Sequence, residues 1–577
     1  MNRAARALGA LLAGLLACQP AQVSPPATAP APSAALAQIV AEVTGARPQA
    51  AVLPDVSLRV AQRQADSARA LMARLDRLPT AGLSHEEELT LELLRWDARR
   101  RIDEPDVYWY SFPVVTAISP MRTVQITLAG LPLGTDTERK AYLTLLEQSG
   151  GVLDGIREKT AGQAERRIVV PREQIDLNLP YIRSFAEPAA THPFALTGRR
   201  LEQVPEGERA AFRARADRVI DSVIAPRALA LARSVEELRA IAPAEVGLWQ
   251  YPGGTEAYRI LVRRETTLEV TPEQVHEIGL RAVAAINARM QQVRDSLGFK
   301  GTKAEFHEQL RRDRRFYVRT PDEVGQGLMQ YIARIEPRMG ESFAVRPKQP
   351  YGVRRLDPAL EPSMTYGYYN WGTGKDSLGY YNFNGSDLDQ RSMLMAGAIA
   401  YHELVPGHHF QINLARENEA LPPFRRSAYY AGYNEGWGEY SSSVVAAEMG
   451  MYRDAYEVYG RLVFDMFFAV RLVVDTGMNH YHWSRQRAMD YMRENTLESD
   501  VQINSETMRY STRSPAQALA YRMGRETMVS LRAKAEKALG PRFDLRKFHS
   551  AVLMSGALPL FLLERHIDWY IAHEQGN

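Results

Sequence analysis

The sequence predicts a mainly α-helical protein with a small β-sheet or hairpin region set ahead of the helical pattern at 398–415 and the helical half that follows. Three observations predict it. Apolar residues recur at three- and four-residue spacing through much of the chain, as in EEELTLELLRWDARRRI over 86–102. Gly, Tyr, Asn and Pro concentrate in one stretch, YGYYNWGTGKDSLGYYNFN, which reads as loop and strand. Helical spacing then resumes from Gln390 to the C-terminus.

The chain opens with Arg3 and Arg6, an apolar run from Leu8 to Ala17, and a single cysteine, Cys18, after Leu15-Leu16-Ala17. This order resembles a secretory signal ending in a bacterial lipobox, so 1–17 is read as signal peptide and Cys18 as the lipidation site. The apolar run is too short to span a bilayer. Residues 18–36 are rich in Pro, Ala and Ser and read as a spacer. The folded body is then 37–577, one large unit that could form two lobes, 37–250 and 251–577. Localisation follows: the bacterial envelope, with the body in the periplasm and the anchor in the outer membrane of a Gram-negative cell.

Hydrophobic residues make up 45% and charged residues 24%, a globular balance. The formal charge is +3 and falls to 3 − 2 = +1 without residues 1–17, which carry Arg3, Arg6 and no acid. Nothing in that balance points to nucleic acid, and the membrane is met only through the lipid. No fixed-period repeat is visible.

Within the body, Ala37 to about Arg166 reads as helices interrupted near Phe112-Pro113 and Ile118-Ser119-Pro120. Arg166 to Pro180 looks less regular, and Glu206 to Ala242 is helical again. YRILVRRET (258–266), with its alternation and β-branching, predicts a short strand. Thr271-Pro272-Glu273-Gln274 predicts a helix start, because Thr can cap, Pro suits the first position and Gln lies three residues on; that helix should run to about Ser296. The aromatic, Gly-rich stretch ahead of the last helical half could present a sheet edge to an extended substrate or pack as a plain hairpin; Tyr381 is its candidate for substrate binding.

The most informative segment is AIAYHELVPGHHFQINLA (398–415), a helical apolar pattern broken by His402, Glu403, His408 and His409. In an HExxH helix two histidines four residues apart share a face and the Glu activates water. Here position 406 is Pro. On an unbroken helix His408 would point about 120° from His402, and His409 would return to within about 20° but lie roughly 10 Å along the axis. Pro406 removes a backbone donor and Gly407 tolerates a bend, so a kink can bring His408 to a shared metal, with His409 as the alternate ligand or a supporting residue behind it. Catalytic zinc takes three protein ligands, and Glu435 in YNEGWGEYSS is the third candidate. Glu439, one turn on, could orient a histidine or compete as ligand. Single histidines on apolar helices are usually core residues; three histidines and a glutamate within eight positions are not that case.

These residues resemble the bacterial family known as domain of unknown function 885, placed among HExxH-type (gluzincin-like) metallopeptidases and distantly similar to angiotensin-converting enzyme and carboxypeptidase Taq. HELVPGHHFQ (402–411) resembles its HExxPGHxxQ and NEGWGEY (434–440) its EGWxxY; RLVVDTG (471–477), YRMG (521–524) and FHSAVLMSGALPL (548–560) are similar to further segments. The resemblance implies a helical zinc peptidase with His402, His408 and Glu435 as ligands and Glu403 as general base on a zinc-bound water. It hints at exopeptidase or dipeptidyl-carboxypeptidase action on short or unfolded peptides. Where the family reads DTGxH, this chain has Asp475-Thr476-Gly477-Met478-Asn479 with His480 one place later. Tyr521 is the candidate oxyanion donor. Arg522 is the chosen guanidinium for a substrate carboxylate, with Arg425, Arg426 and Arg525 also available, and Arg471 with Asp475 is read as a structural ion pair. Two rival readings remain: a catalytically inactive envelope lipoprotein acting as a binding module, favoured by Pro406, and a glycan hydrolase using two of Glu403, Glu435 and Glu439.

Overall fold

The computed structural model describes residues 32–45, 52–115, 119–358, 361, 366–372 and 378–576. The signal segment, Cys18 and most of the spacer lie outside the described residues. The fold is mainly α, with one small sheet, and among the described residues no helix is long and apolar enough to cross a membrane. The first helix, Pro32–Gly45, starts inside the expected spacer, because Leu36 and Ile39 bury against the core.

Helix starts follow their caps. At Thr271 the side chain accepts from the Gln274 N–H while the Gln274 side chain accepts from the Thr271 N–H, and the helix runs Pro272–Ser296 as its sequence predicts. Two expectations are corrected. Residues 258–266 form the end of a helix, Gly254–Thr266, rather than a strand: Ala257, Tyr258, Val262 and Thr266 recur at helical spacing and are buried, which outweighs local β-propensity. The stretch expected to be irregular carries a helix, Arg172–Ser184, with Pro180 inside it and Ile175, Leu179 and Ile182 on its buried side.

The helix Ala455–Asn479 is the axis of the molecule. Every residue from Tyr459 to Asn479 is buried, which only a helix surrounded by others can satisfy. It packs on Pro272–Ser296, on the helix Ala396–Glu403 and on Leu519–Leu539. Its charged residues are therefore paired inside the protein, but not as expected. Arg471 donates to Tyr510 Oη (2.7 Å) and meets Glu506 (3.1 Å), while Asp475 accepts from the Tyr258 hydroxyl (2.7 Å) and the Ala516 N–H (3.1 Å). The two side chains meet different neighbours, so no Arg471–Asp475 pair forms.

The core does not divide near residue 250. Leu36 to Leu94 pack in one cluster with side chains between Val324 and Ile571, and a second cluster is built mostly from 112–262. The sheet has the order β1-β3-β2: β1 (Tyr351–Arg355) runs parallel to β3 (Gly379–Phe383), and β2 (Gly367–Asn370) antiparallel to it, with Tyr381 opposite both Val353 and Tyr369. Tyr381 and Phe383 face the core beside the 396–403 helix.

Candidate metal centre

The helix Ala396–Glu403 stops at its glutamate, and a second helix, His408–Glu417, starts at His408. Between them Leu404 to Gly407 form a tight link with a cis Val405–Pro406 peptide. A Cβ at position 407 would stand 1.8 Å from the His402 carbonyl oxygen, so only glycine fits there. The Trp437 indole donates to the Pro406 carbonyl (2.8 Å) and fixes the link. The expected kink is thus a complete break, and it turns His408 back on His402, the two rings lying 4.6 Å apart.

The helix Ala431–Tyr440 supplies the carboxylates. Glu435 Oε2 lies 3.6 Å from His402 Nε2 and 3.3 Å from His408 Nε2. One atom from each of these three buried residues falls within 4.8 Å of the others. On the far side of the His402 ring, Nδ1 meets Glu439 Oε1 at 3.0 Å. Glu439 therefore holds the ring rather than joining the cluster, the usual arrangement behind a metal-binding histidine. Two imidazoles and a carboxylate suit zinc. Burial would push Glu435 up, but His408 and His402 pull its carboxyl well below the usual range. Burial likewise disfavours a charged His402, yet Glu435 and Glu439 hold it well above the ordinary histidine value. Two acids drawing positive charge into a buried site is the electrostatics a cation would answer.

Glu403 is part-exposed, with Oε2 buried and without a hydrogen-bond partner. Burial raises its carboxyl against the pull of His408 and His402.

Close backbone contact sets these positions. A Cβ on Gly438 would stand 2.6 Å from His402 Cε1, so the ring lies flat on the helix there. A Cβ on Gly524, in the helix Leu519–Leu539, would meet the Gly432 carbonyl oxygen at 1.8 Å, and one on Gly436 would meet Gly524 Cα at 2.5 Å. These two helices carry Glu435 and Tyr521.

Other sequence candidates are placed as follows. Tyr521 stacks on Phe468 (4.8 Å) and lies 6.3 Å from the His402 ring. Tyr381 lines a cavity of about 520 Å³ shared with Tyr366, Arg391 and Glu498, and its phenol is raised by burial and by Glu403. His409 is apart from the cluster: its Nδ1 meets Tyr369 Oη (2.9 Å) and Asn413 Nδ2 (3.1 Å). Arg522 is held by Asp465 (2.9 Å), and Arg525 donates to Ser443 Oγ (3.0 Å). Arg425 is buried and donates to the Ser555 carbonyl (2.6 Å) and Thr90 Oγ1 (3.1 Å). Arg426 is part-exposed. His480 pairs with Glu273 (2.7 Å). The sequence reading missed Tyr429, whose hydroxyl donates to Glu435 Oε1 (2.7 Å). It stands six residues before Glu435 and ahead of the helix start at Ala431, so no helical spacing marks it among the 27 tyrosines of the chain.

Residues 39–567 match the family described as bacterial protein of unknown function (DUF885). Among solved structures, "the putative lipoprotein from Colwellia psychrerythraea" is similar at 28% identity and TM-score 0.79, covering 89% of this chain and 92% of that one. "A putative lipoprotein of unknown function from Shewanella oneidensis" shares the fold at 16% identity and TM-score 0.70, covering 92% of this chain and 96% of that one. No curated protein matches.

Proposed function

The chain belongs to the bacterial DUF885 family, and from that premise we propose that it is a zinc-dependent peptidase held in the cell envelope by a lipid on Cys18. The observation that carries this reading is the convergence of His402, His408 and Glu435 on one point beside an unpartnered Glu403 oxygen.

His402, His408 and Glu435 would hold the ion. When bound, zinc supplies Lewis acidity toward water and a carbonyl oxygen. Glu403 takes a proton from the attacking water and returns it to the leaving amine. Glu439 would keep the proton of His402 on Nδ1 and leave Nε2 available as the ligand atom. Tyr429 orients Glu435 by donating to its other oxygen. Tyr521 donates toward the oxygen that gains charge as the carbonyl is attacked. Tyr381, beside Glu403, lines the substrate side. The lipid anchor rests on the order Leu15-Leu16-Ala17-Cys18 and on the similarity to the putative lipoprotein from Colwellia psychrerythraea.

Metal analysis of the purified protein tests the reading: about one zinc per chain and cleavage within a mixed peptide library are expected, and a chain that retains no metal overturns it. Cys18→Ser should leave the membrane fraction; a variant that stays there removes the anchor.

A further inference from the structure

The cavity of about 520 Å³ beside Tyr381 falls within the size range of ligand pockets, and its walls are sorted by polarity. The interior is apolar. Val324 and Leu328 come from the helix Pro321–Ile335, Phe383 from β3, and Ala396 and Ile399 from the helix that ends at Glu403. Met393 and Met395, just ahead of that helix, add flexible side chains that adapt to what they pack against. The mouth is polar: Arg311, Asp387 and Asp389 line it and are exposed, so water reaches the cavity from that end. Two further charged residues line the walls, and both are engaged. Arg391 donates to the Ser386 carbonyl (2.8 Å), and Glu498 takes the Tyr366 hydroxyl, with burial holding its carboxyl up to about 7.

The inner end meets the metal centre. Ala396, Ile399 and Glu403 follow one another at three- and four-residue spacing, so the helix stripe that lines the cavity continues to the Glu403 carboxylate. Tyr381 lines the cavity and lies close enough to Glu403 for that charge to act on its phenol. A second wall leads to the same place: the Tyr366 ring packs edge-on against Phe464 (6.5 Å), and Phe464 packs edge-on against the His402 ring (5.8 Å). A peptide whose carbonyl lies between the metal ligands and Glu403 has a neighbouring side chain within reach of this space. The walls select its chemistry. A charged side chain would have to shed its water against apolar groups, and a small one would leave the space unfilled. A large apolar side chain fills it, with ring and methionine sulfur contacts available to an aromatic one.

We infer that this cavity receives a side chain flanking the scissile bond, and that the protein cleaves peptides beside a large apolar residue such as Phe, Leu or Met in preference to a small or charged one. This rests on the peptidase reading above and adds to it a class of substrate.

The test uses the purified zinc-loaded protein and peptides identical except at the two positions flanking the cleaved bond. Phe, Leu or Met at one of these positions should exceed Ala in kcat/KM by about tenfold to a hundredfold or more, since a single methylene in an apolar pocket is already worth roughly 10–200-fold. Asp or Lys there should do no better than Ala. Leu388→Trp, at a half-buried position in the wall, should fill the cavity and lower the Phe-over-Ala ratio by about tenfold or more, mainly through KM for the Phe peptide, with zinc content kept. Leu328→Phe makes the same change from another element, so a folding defect in one variant leaves the other to decide. A second readout is independent of turnover: zinc-loaded Glu403→Gln should bind the Phe peptide more tightly than the Ala peptide by calorimetry, and adding Leu388→Trp should narrow that gap. Wild type that cleaves without regard to the flanking side chain, or that prefers Asp or Lys, overturns the inference alone, as does an unchanged Phe-over-Ala ratio in both variants. Zinc-loaded wild type that cleaves nothing in a mixed library overturns the peptidase reading and this inference with it.

Discussion

Oε1 of Glu439 lies 3.0 Å from Nδ1 of His402, so the ring that offers Nε2 to the cluster is held from behind by a fully buried acid. Glu439→Gln should lower zinc affinity by about 10–100-fold, read by competition with a chelator of known affinity. Unchanged affinity would remove Glu439 from the site.

Glu403→Gln should keep about one zinc per chain and lose at least about a hundredfold in kcat, since a general base contributes roughly 10²–10⁴. Metal analysis and initial rates on the same sample decide it. Zinc-loaded wild type that cleaves nothing would instead favour a binding module.

Tyr521→Phe should retain metal and reduce kcat by about 10²–10³ with little change in KM, the pattern of a donor used as charge develops. A change confined to KM would mark Tyr521 as a substrate contact.

Gly438→Ala should displace the His402 ring, because the added methyl would stand 2.6 Å from Cε1. Overpacking of this sort costs about 1–3 kcal/mol. Differential scanning calorimetry should show a lower Tm, and dialysis a weaker hold on zinc; a variant matching wild type in both would mean the helix can yield there.

Stability should fall in mild acid. Burial lowers His307 and His549 to about 3, against 6.5 for an unperturbed histidine. The unfolded chain therefore binds protons that the folded chain refuses. The stability these residues contribute is complete above pH 6.5 and is lost as pH falls toward 3. Each adds a slope of about 1.4 kcal/mol per pH unit. The share of one ring is read by difference, because His85 and His409, lowered to about 4, add to the decline and Asp475 and Glu498, held up to about 7, oppose it: in urea unfolding between pH 6 and pH 5, His549→Asn should lose stability by about 1 kcal/mol per pH unit less than wild type. An unchanged slope would contradict the burial of that ring.

Much of this architecture was legible. The capping residues at Thr271 marked their helix, and His402, Glu403, His408 and Glu435 could be picked out because chemistry-bearing residues interrupt apolar helical patterns. What sequence could not supply was the outcome of long-range packing. YRILVRRET satisfies both strand and helix periods locally, and burial of Tyr258 and Val262 against other helices decides between them. His408 and His409 differ by one position, and only the direction of the chain after Pro406 separates the cluster from the Tyr369 contact. The arginines were hardest of all. Nothing in the sequence marks Arg522 as taken up by Asp465 rather than open to a ligand.

The contact of Gly432 and Gly436 with Gly524 bears on how the centre responds to change. Backbone meets backbone there, so no side chain can rearrange to let one helix slide past the other. Glu435 and Tyr521 are thereby mounted on a single rigid frame, their spacing set during folding rather than by whatever occupies the site. A shift in either helix would carry both residues together, and the Trp437 bond to the Pro406 carbonyl would carry the link at Leu404–Gly407 with them.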